Sequence, residues 1–329
     1  MDLDAGHKNT LPGAPLPHKI LWFYSGDVVL STDKFLFKVH KEILSLHSTV
    51  FKDMFGIPVP DDSQIGEDKT STETSQEMYQ GLPLVELTGD KGEDVVHLLR
   101  TVYEQHYYHR DDYETPLEVV IALLDLSTKY DFKNIRTDVI IQIAKHYPTH
   151  LRSYDDANVH DLAPLFGTIR SSCHYPLLQC LWKAKVDALL PVLYYACSDS
   201  PIDFILLQTN TLDTECLQTL IKGSVKLRAA VTQLLADLTG RDLLDGPCSY
   251  GCEVHFRICN LGEFVNSSNL AEIDGGSIVE ACADRACELC SHKVKDVVDN
   301  RRKEIWNNIP SYFGFPGWNQ LREELAEYC

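Results

Sequence analysis

No run of apolar residues in this 329-residue chain is long enough to cross a bilayer. Its first residues, Met1-Asp2-Leu3-Asp4, have neither the positive charge nor the apolar stretch of a secretory leader. The expectation is a soluble protein of the cytoplasm or nucleus, with no membrane role. Basic residues are scarce as well: 30 Lys and Arg stand against 48 Asp and Glu, a formal net charge of −18. The one short basic cluster is Arg301-Arg302-Lys303. A surface of that sign repels phosphate backbones, which argues against direct nucleic-acid binding. Catalytic signatures are missing too: no G-x-S-x-G elbow, no Gly-rich phosphate loop, no H-E-x-x-H and no EF-hand loop. The cluster His106, Tyr107, Tyr108 and His109 reads as an exposed helix end. The acid pairs Asp61-Asp62, Asp111-Asp112 and Asp155-Asp156 fall in expected loops, where charge is normally solvated. A catalytic pair needs two differently tuned carboxylates in a cleft, so no enzyme is expected.

What is present is an ordinary globular composition, 44% apolar and 24% charged, over a length that suits two domains. Residues 1–18 are rich in Pro and Gly without periodicity and read as a tail. Asp27-Val28-Val29-Leu30-Ser31 and Phe35-Leu36-Phe37-Lys38-Val39 are β-prone runs around a turn at Thr32-Asp33-Lys34. Helical spacing follows from Ile43 to Phe55, with Ser48 capping the second of two helices. Residues 57–82 are acidic and broken by Pro and Gly, and are expected to be a disordered insertion. Leu84-Val85-Glu86-Leu87 is a third strand, and helices follow over 93–107, 116–130 and 132–146. Thr115, Pro116 and Glu118 form a capping box for the middle one. The chain is helical from 151 to 245, with turns near Pro176, Pro201 and Gly223. A cysteine-bearing helical region occupies 246–329. Its main helix starts at a Ser277/Glu280 capping box and stops before Pro310.

The ordered set Asp27-Val28-Val29-Leu30, Phe37-Lys38-Val39-His40-Lys41, Leu44, Ser48, Phe51, Met54 and Phe55 resembles the BTB/POZ domain. The resemblance continues through Val85-Glu86-Leu87, Tyr103 and Leu126-Ser127-Thr128-Lys129-Tyr130-Asp131-Phe132. It implies an α+β domain over residues 20–150, followed by an all-α region, as in fungal proteins with one such domain and a long helical remainder. It also implies a non-catalytic protein-interaction role: a scaffold or adaptor that homodimerises through residues 20–60 and holds another protein. Two alternatives stand beside it, a substrate receptor for a cullin-type ubiquitin ligase and a transcriptional co-regulator. The Thr-Gly that often follows the family's Tyr is replaced by Glu104-Gln105-His106, which tells against cullin binding. In this family the positions of Asp27 and Lys41 sit near the dimer interface. Either the two side chains pair and line a polar pocket, or Asp27 only caps or kinks the strand edge.

Of the eleven cysteines, Cys173, Cys180, Cys197 and Cys216 sit in apolar stretches and read as small buried hydrophobes. Cys248 and Cys252 lie on a Gly/Pro turn, and Cys287 and Cys290 lie one helical turn apart. Two thiol pairs are the usual supply for a structural tetrahedral zinc, with Cys259, Cys282, His255 and His292 as spare ligands. The opposing reading places Cys282 and Cys290 in the apolar stripe of the last helix.

Overall fold

The computed structural model describes residues 14–56, 77–158, 164–238, 264, 267–283 and 286–328. The chain divides into two compact units. The first comprises the described residues up to Asp112 together with Glu118–Val139. The second comprises Tyr113–Leu117 and the described residues from Ile140 onward.

In the first unit five strands form one sheet: β1 (Leu16–Trp22), β2 (Val28–Ser31), β3 (Phe35–Val39), β4 (Met78–Tyr79) and β5 (Leu82–Glu86), in the order β1-β3-β2-β5-β4. Strands β2 and β3 are the expected hairpin, with Val28 opposite Val39 and Leu30 opposite Phe37. Thr32 closes its turn, since its Oγ1 accepts the Phe35 N–H at 3.1 Å. Helices α1 (Lys41–His47) and α2 (Thr49–Gly56) follow. Ser48 caps α2 as expected: its Oγ accepts the Phe51 N–H at 3.0 Å and donates to the Tyr130 carbonyl. Helix α3 (Gly92–Tyr103) takes its N-terminal partner from the hairpin turn, where Asp33 Oδ1 accepts the Gly92 N–H at 2.7 Å. A Cβ on Gly92 would lie 2.7 Å from the Phe35 ring, so the close approach requires glycine.

Two expectations need correction here. Strand β1 begins at Leu16, inside the stretch expected as tail; residues 1–13 of that tail lie outside the described residues. Pro15 and Pro17 hide the strand in the sequence, yet an edge strand paired only with β3 tolerates the missing donors. Likewise the expected insertion ends in structure. Residues 57–76 lie outside the described residues, but Met78–Tyr79 pairs antiparallel with β5 through Gln80 and Gly81, at φ 51° and 81°. Positive φ at both central residues matches the twist of a two-residue hairpin.

Helix α4 (Leu117–Lys129) begins one residue later than the capping box suggests, and the Leu117 N–H is taken by the Phe166 carbonyl at 2.9 Å. Helix α5 (Lys133–His146) follows, then α6 (Leu151–Asn158). Asp155-Asp156 is therefore helical rather than in a loop. The second unit also holds a small hairpin in a region expected to be all helix, β6 (Pro164–Leu165) with β7 (Thr168–Ile169), turning at Phe166-Gly167 with φ 53° and 69°. Phe166 accepts that backbone because its side chain is buried and its N–H bonds the Tyr113 carbonyl at 3.1 Å.

Helix α7 (Arg170–Ala184) contains Pro176 in its interior, and α8 (Leu190–Ser198) is buried at every residue. Helix α9 (Ile202–Leu206) is short, and α10 (Thr214–Asp237) is long. The turn expected at Gly223 lies inside α10. A Cβ there would fall 1.9 Å from the Phe313 ring, which stacks on Tyr194 at 5.0 Å, so this glycine admits an aromatic rather than ending a helix. The single helix expected from Ser277 is two helices, α11 (Gly275–Cys282) and α12 (Glu288–Tyr312). The cap of α11 is Asp274, which accepts from Gly276 and Ser277.

Helix α12 also passes Pro310, the residue expected to end it. A helical proline leaves the carbonyl four residues earlier without its partner. Here that carbonyl belongs to Trp306, and the indole N–H of Trp318, in α13 (Trp318–Ala326), donates to it at 2.7 Å. Arg302 of the short basic cluster is buried, not a surface charge. It donates to the Leu270 carbonyl at 2.6 Å and pairs with Asp155 at 2.9 Å. Burial raises the Asp155 carboxyl above its usual range, against the pull of the Arg302 guanidinium.

Candidate interaction surface

The first unit presents large apolar side chains to solvent at Leu16 and Ile20 of β1, at Tyr24 just after it, and at Leu46 of α1. Strand β1 is at the sheet edge, and its register against β3 shifts between Pro17 and Trp22, the stretch that holds Ile20. Leu21 of the same strand is fully buried and holds the strand down. Helical spacing in the sequence points past Leu46, because its neighbours Ile43, Leu44 and His47 already fill that spacing. Its departure from the pattern is the one local signal that marks it.

Asp27 and Lys41 are brought together at the start of α1, through the backbone. Asp27 Oδ1 accepts the Lys41 N–H at 2.8 Å. His40, the N-cap of α1, makes no side-chain cap of its own, so Asp27 satisfies a first-turn amide that would otherwise lack a partner. The Lys41 amine instead lies over the Phe55 ring, 5.8 Å from its centroid. Within one chain the contact of Asp27 is therefore with the Lys41 amide, not with its amine. Around the cap, Phe23 stacks on Tyr103 at 4.6 Å, and Tyr103 Oη accepts the His40 N–H at 3.0 Å. His40 lies between Ser25 Oγ at 2.9 Å and Tyr103 Oη at 3.3 Å. Burial raises the Tyr103 hydroxyl above its ordinary range. These contacts tie the start of α1 to Phe23, Ser25 and Tyr103.

Among the cysteines, Cys248 and Cys252, with Cys259 and His255, lie outside the described residues. Cys287 is the N-cap of α12 and is partly exposed, whereas Cys290 and Cys282 are buried. Cys287, Glu288, Leu289 and His292 line a depression of about 510 Å³, and His292 Nδ1 sits 3.1 Å from Asp296. No group of three or more His, Cys, Asp or Glu converges on a metal position among the described residues. Cys173, Cys180, Cys197 and Cys216 are buried, as apolar filler should be, and burial raises the thiols of Cys173 and Cys216 to about 11.

No pattern in the sequence announces a second polar group, inside the second unit. The Arg170 guanidinium stacks over the Tyr147 ring at 4.4 Å, and the His174 ring meets Tyr147 edge-on at 5.8 Å. Tyr147 Oη and His174 Nε2 are buried with no hydrogen-bond partner among the described residues. Desolvation, with Arg170 adding to it, pushes the His174 imidazole down to about 3.

Residues 23–147 match the family model of the BTB/POZ domain. The N-terminal part of this chain is a BTB/POZ domain, a small sheet with helices, and a helical region follows it. No curated protein and no solved structure matches the chain. BTB/POZ domains generally serve as protein-interaction modules, and among the described residues no helix is long and apolar enough to cross a membrane.

Proposed function

We propose that the chain is a non-catalytic scaffold or adaptor, homodimerising through its BTB/POZ domain and holding a partner protein with its helical region. The observation that carries this is the set of exposed apolar side chains at Leu16, Ile20, Tyr24 and Leu46, together with the Asp27 cap that fixes the start of α1. Covering such side chains recovers about 1–2 kcal/mol each before the cost of association. Light scattering of the full chain at micromolar concentration should give twice the monomer mass. Ile20→Glu with Leu46→Glu should return it to the monomer while thermal stability stays near that of the parent. A strict monomer in the parent chain overturns the reading.

A further inference from the structure

Thirteen large apolar side chains are exposed on the described surface, and four of them fall within six consecutive residues of the second unit. They are Ile202, Phe204, Leu206 and Leu207, the last 73% exposed. Scattered apolar residues are ordinary on a surface, but a contiguous group marks a contact. Helix α9 and the 3-10 turn after it, Leu207–Asn210, hold the group in place. Ile205 is the anchor, fully buried, and Phe204 rests the edge of its ring against Tyr175 at 5.6 Å. Ile202 and Leu206, four residues apart, share one face of the helix.

The chain that carries this ridge is rich in acids. Between Lys185 and Lys222 there is no Lys or Arg, while Asp187, Asp199, Asp203, Asp213 and Glu215 all fall there. Asp203 is within the ridge itself and exposed. Asp213 and Glu215 are exposed at the start of α10, which packs against the 3-10 turn. Arg228, whose Nη2 donates to the carbonyls of Ser198 at 3.4 Å and Ser200 at 2.8 Å, brings one cation to the base of the ridge and leaves the acids in excess. A second copy of the same ridge would set acids against acids, and an anionic lipid surface would be repelled for the same reason.

We propose that this ridge is a docking surface for a basic amphipathic segment of a partner protein, with apolar side chains at three- and four-residue spacing flanked by Lys or Arg. The proposal rests on the reading of the helical region as the part that holds a partner. It names where that partner sits and which chemistry it must bring. Apolar side chains from the segment would cover Ile202, Phe204, Leu206 and Leu207, while its cations face Asp203, Asp213 and Glu215. The acids contribute chiefly to the rate of encounter and to choice of partner, and the apolar group to residence time.

The test uses the full chain and a fluorescent synthetic peptide of Leu and Lys, about five helical turns long and patterned as an amphipathic helix. Binding is followed by anisotropy at two salt concentrations, with a Leu/Glu peptide of the same pattern as comparison. The Leu/Lys peptide should bind, more weakly at high salt, and the Leu/Glu peptide should not. Leu206→Ser with Leu207→Ser should weaken binding by about tenfold or more without changing the melting temperature. Asp203→Asn with Asp213→Asn should reduce the salt dependence; asparagine at 213 preserves the helix cap that Asp213 supplies to α10. Glu323→Gln with Glu327→Gln removes the same charge elsewhere on the second unit and should leave binding unchanged. No binding by the parent chain, equal binding by the Leu206/Leu207 variant, or an equal loss in the Glu323/Glu327 control each overturns the proposal. The mass of the chain in solution is measured separately, so a failure here is distinct from a failure of dimerisation.

Discussion

Lowering the pH from about 7.5 to about 5 adds a proton to an ordinary histidine, whose pKa is about 6.5. His174 cannot take that proton while the second unit is folded. Its ring is enclosed, its Nε2 has no acceptor among the described residues, and the Arg170 guanidinium is close by, so its pKa falls to about 3. Between those two values the unfolded chain binds a proton that the folded chain does not. Stability therefore rises with pH across this window: the contribution is complete above about 6.5 and is lost progressively as pH falls toward 3. At about pH 5 the loss is about one and a half pH units at about 1.36 kcal/mol each, or about 2 kcal/mol. That figure is insensitive to the depth of the shift, because a folded-state value of about 3 or about 4 leaves the ring neutral at about pH 5 either way.

His18, His97 and His146 are also shifted downward, chiefly by burial, and add in the same sense. Asp155 is shifted upward and acts oppositely at lower pH. The contribution of His174 is isolated by His174→Phe, which keeps a ring against Tyr147 and cannot titrate. Urea unfolding followed by tryptophan fluorescence reports the right part of the molecule, since Trp182, Trp306 and Trp318 lie in the second unit and only Trp22 in the first. At about pH 7.5 the variant should fall within about 1 kcal/mol of the parent, because no hydrogen bond at Nε2 is lost. Its stability should then fall by about 2 kcal/mol less than the parent's on going to about pH 5. Parallel pH curves for the two proteins would refute the burial of a neutral His174.

Two further predictions concern backbone groups with unusual partners. Trp318→Phe should cost about 1–3 kcal/mol by leaving the buried Trp306 carbonyl without a donor. The same change in a Pro310→Ala background should cost at least about 1 kcal/mol less, because alanine restores the helical N–H that the proline lacks; additive effects in the double-mutant cycle would sink this account. In the first unit Asp27→Ala should cost about 0.5–2 kcal/mol by removing the acceptor of the Lys41 N–H. Lys41→Glu keeps that amide and places its carboxylate at a helix N-terminus, so it should change melting far less than Asp27→Ala. The reverse order would show that the amine, not the amide, is what matters.

The parts of the fold legible in the sequence are those whose cause is local. The alternation of Phe35, Phe37 and Val39 reports a half-buried strand, and Ser48 reports a cap, because each signal and its partner lie within a few residues. The position of Asp27 and Lys41 is legible through the resemblance, but not the sense of their contact. They stand 14 residues apart, and only the packing of α1 against the start of β2 decides that the carboxylate meets an amide. The exposed ridge at Ile202–Leu207 is illegible for a related reason. An apolar run has the same composition whether it is buried or bare, and only its neighbours in space distinguish the two.

Proline and glycine in the second unit show the same limit most sharply. Pro176, Gly223 and Pro310 each punctuate the sequence, and each sits inside a helix. A helix interior normally loses about 1 kcal/mol to glycine and about 3 kcal/mol to proline, so reading them as breaks follows from local energetics alone. At Gly223 the loss is offset by Phe313, which lies far along the chain and occupies the space a methyl group would need. At Pro310 it is offset by Trp318, whose indole replaces the proline's absent donor from a different helix. Both compensations are tertiary and specific, and both converge on the end of α12 through aromatic rings from the 313–318 segment. The packing of these rings is what permits α10 and α12 to continue. Removing the ring at 313 should therefore make Gly223 a liability instead of a necessity, which ties the helical character of the second unit to a handful of aromatic contacts rather than to propensity along its helices.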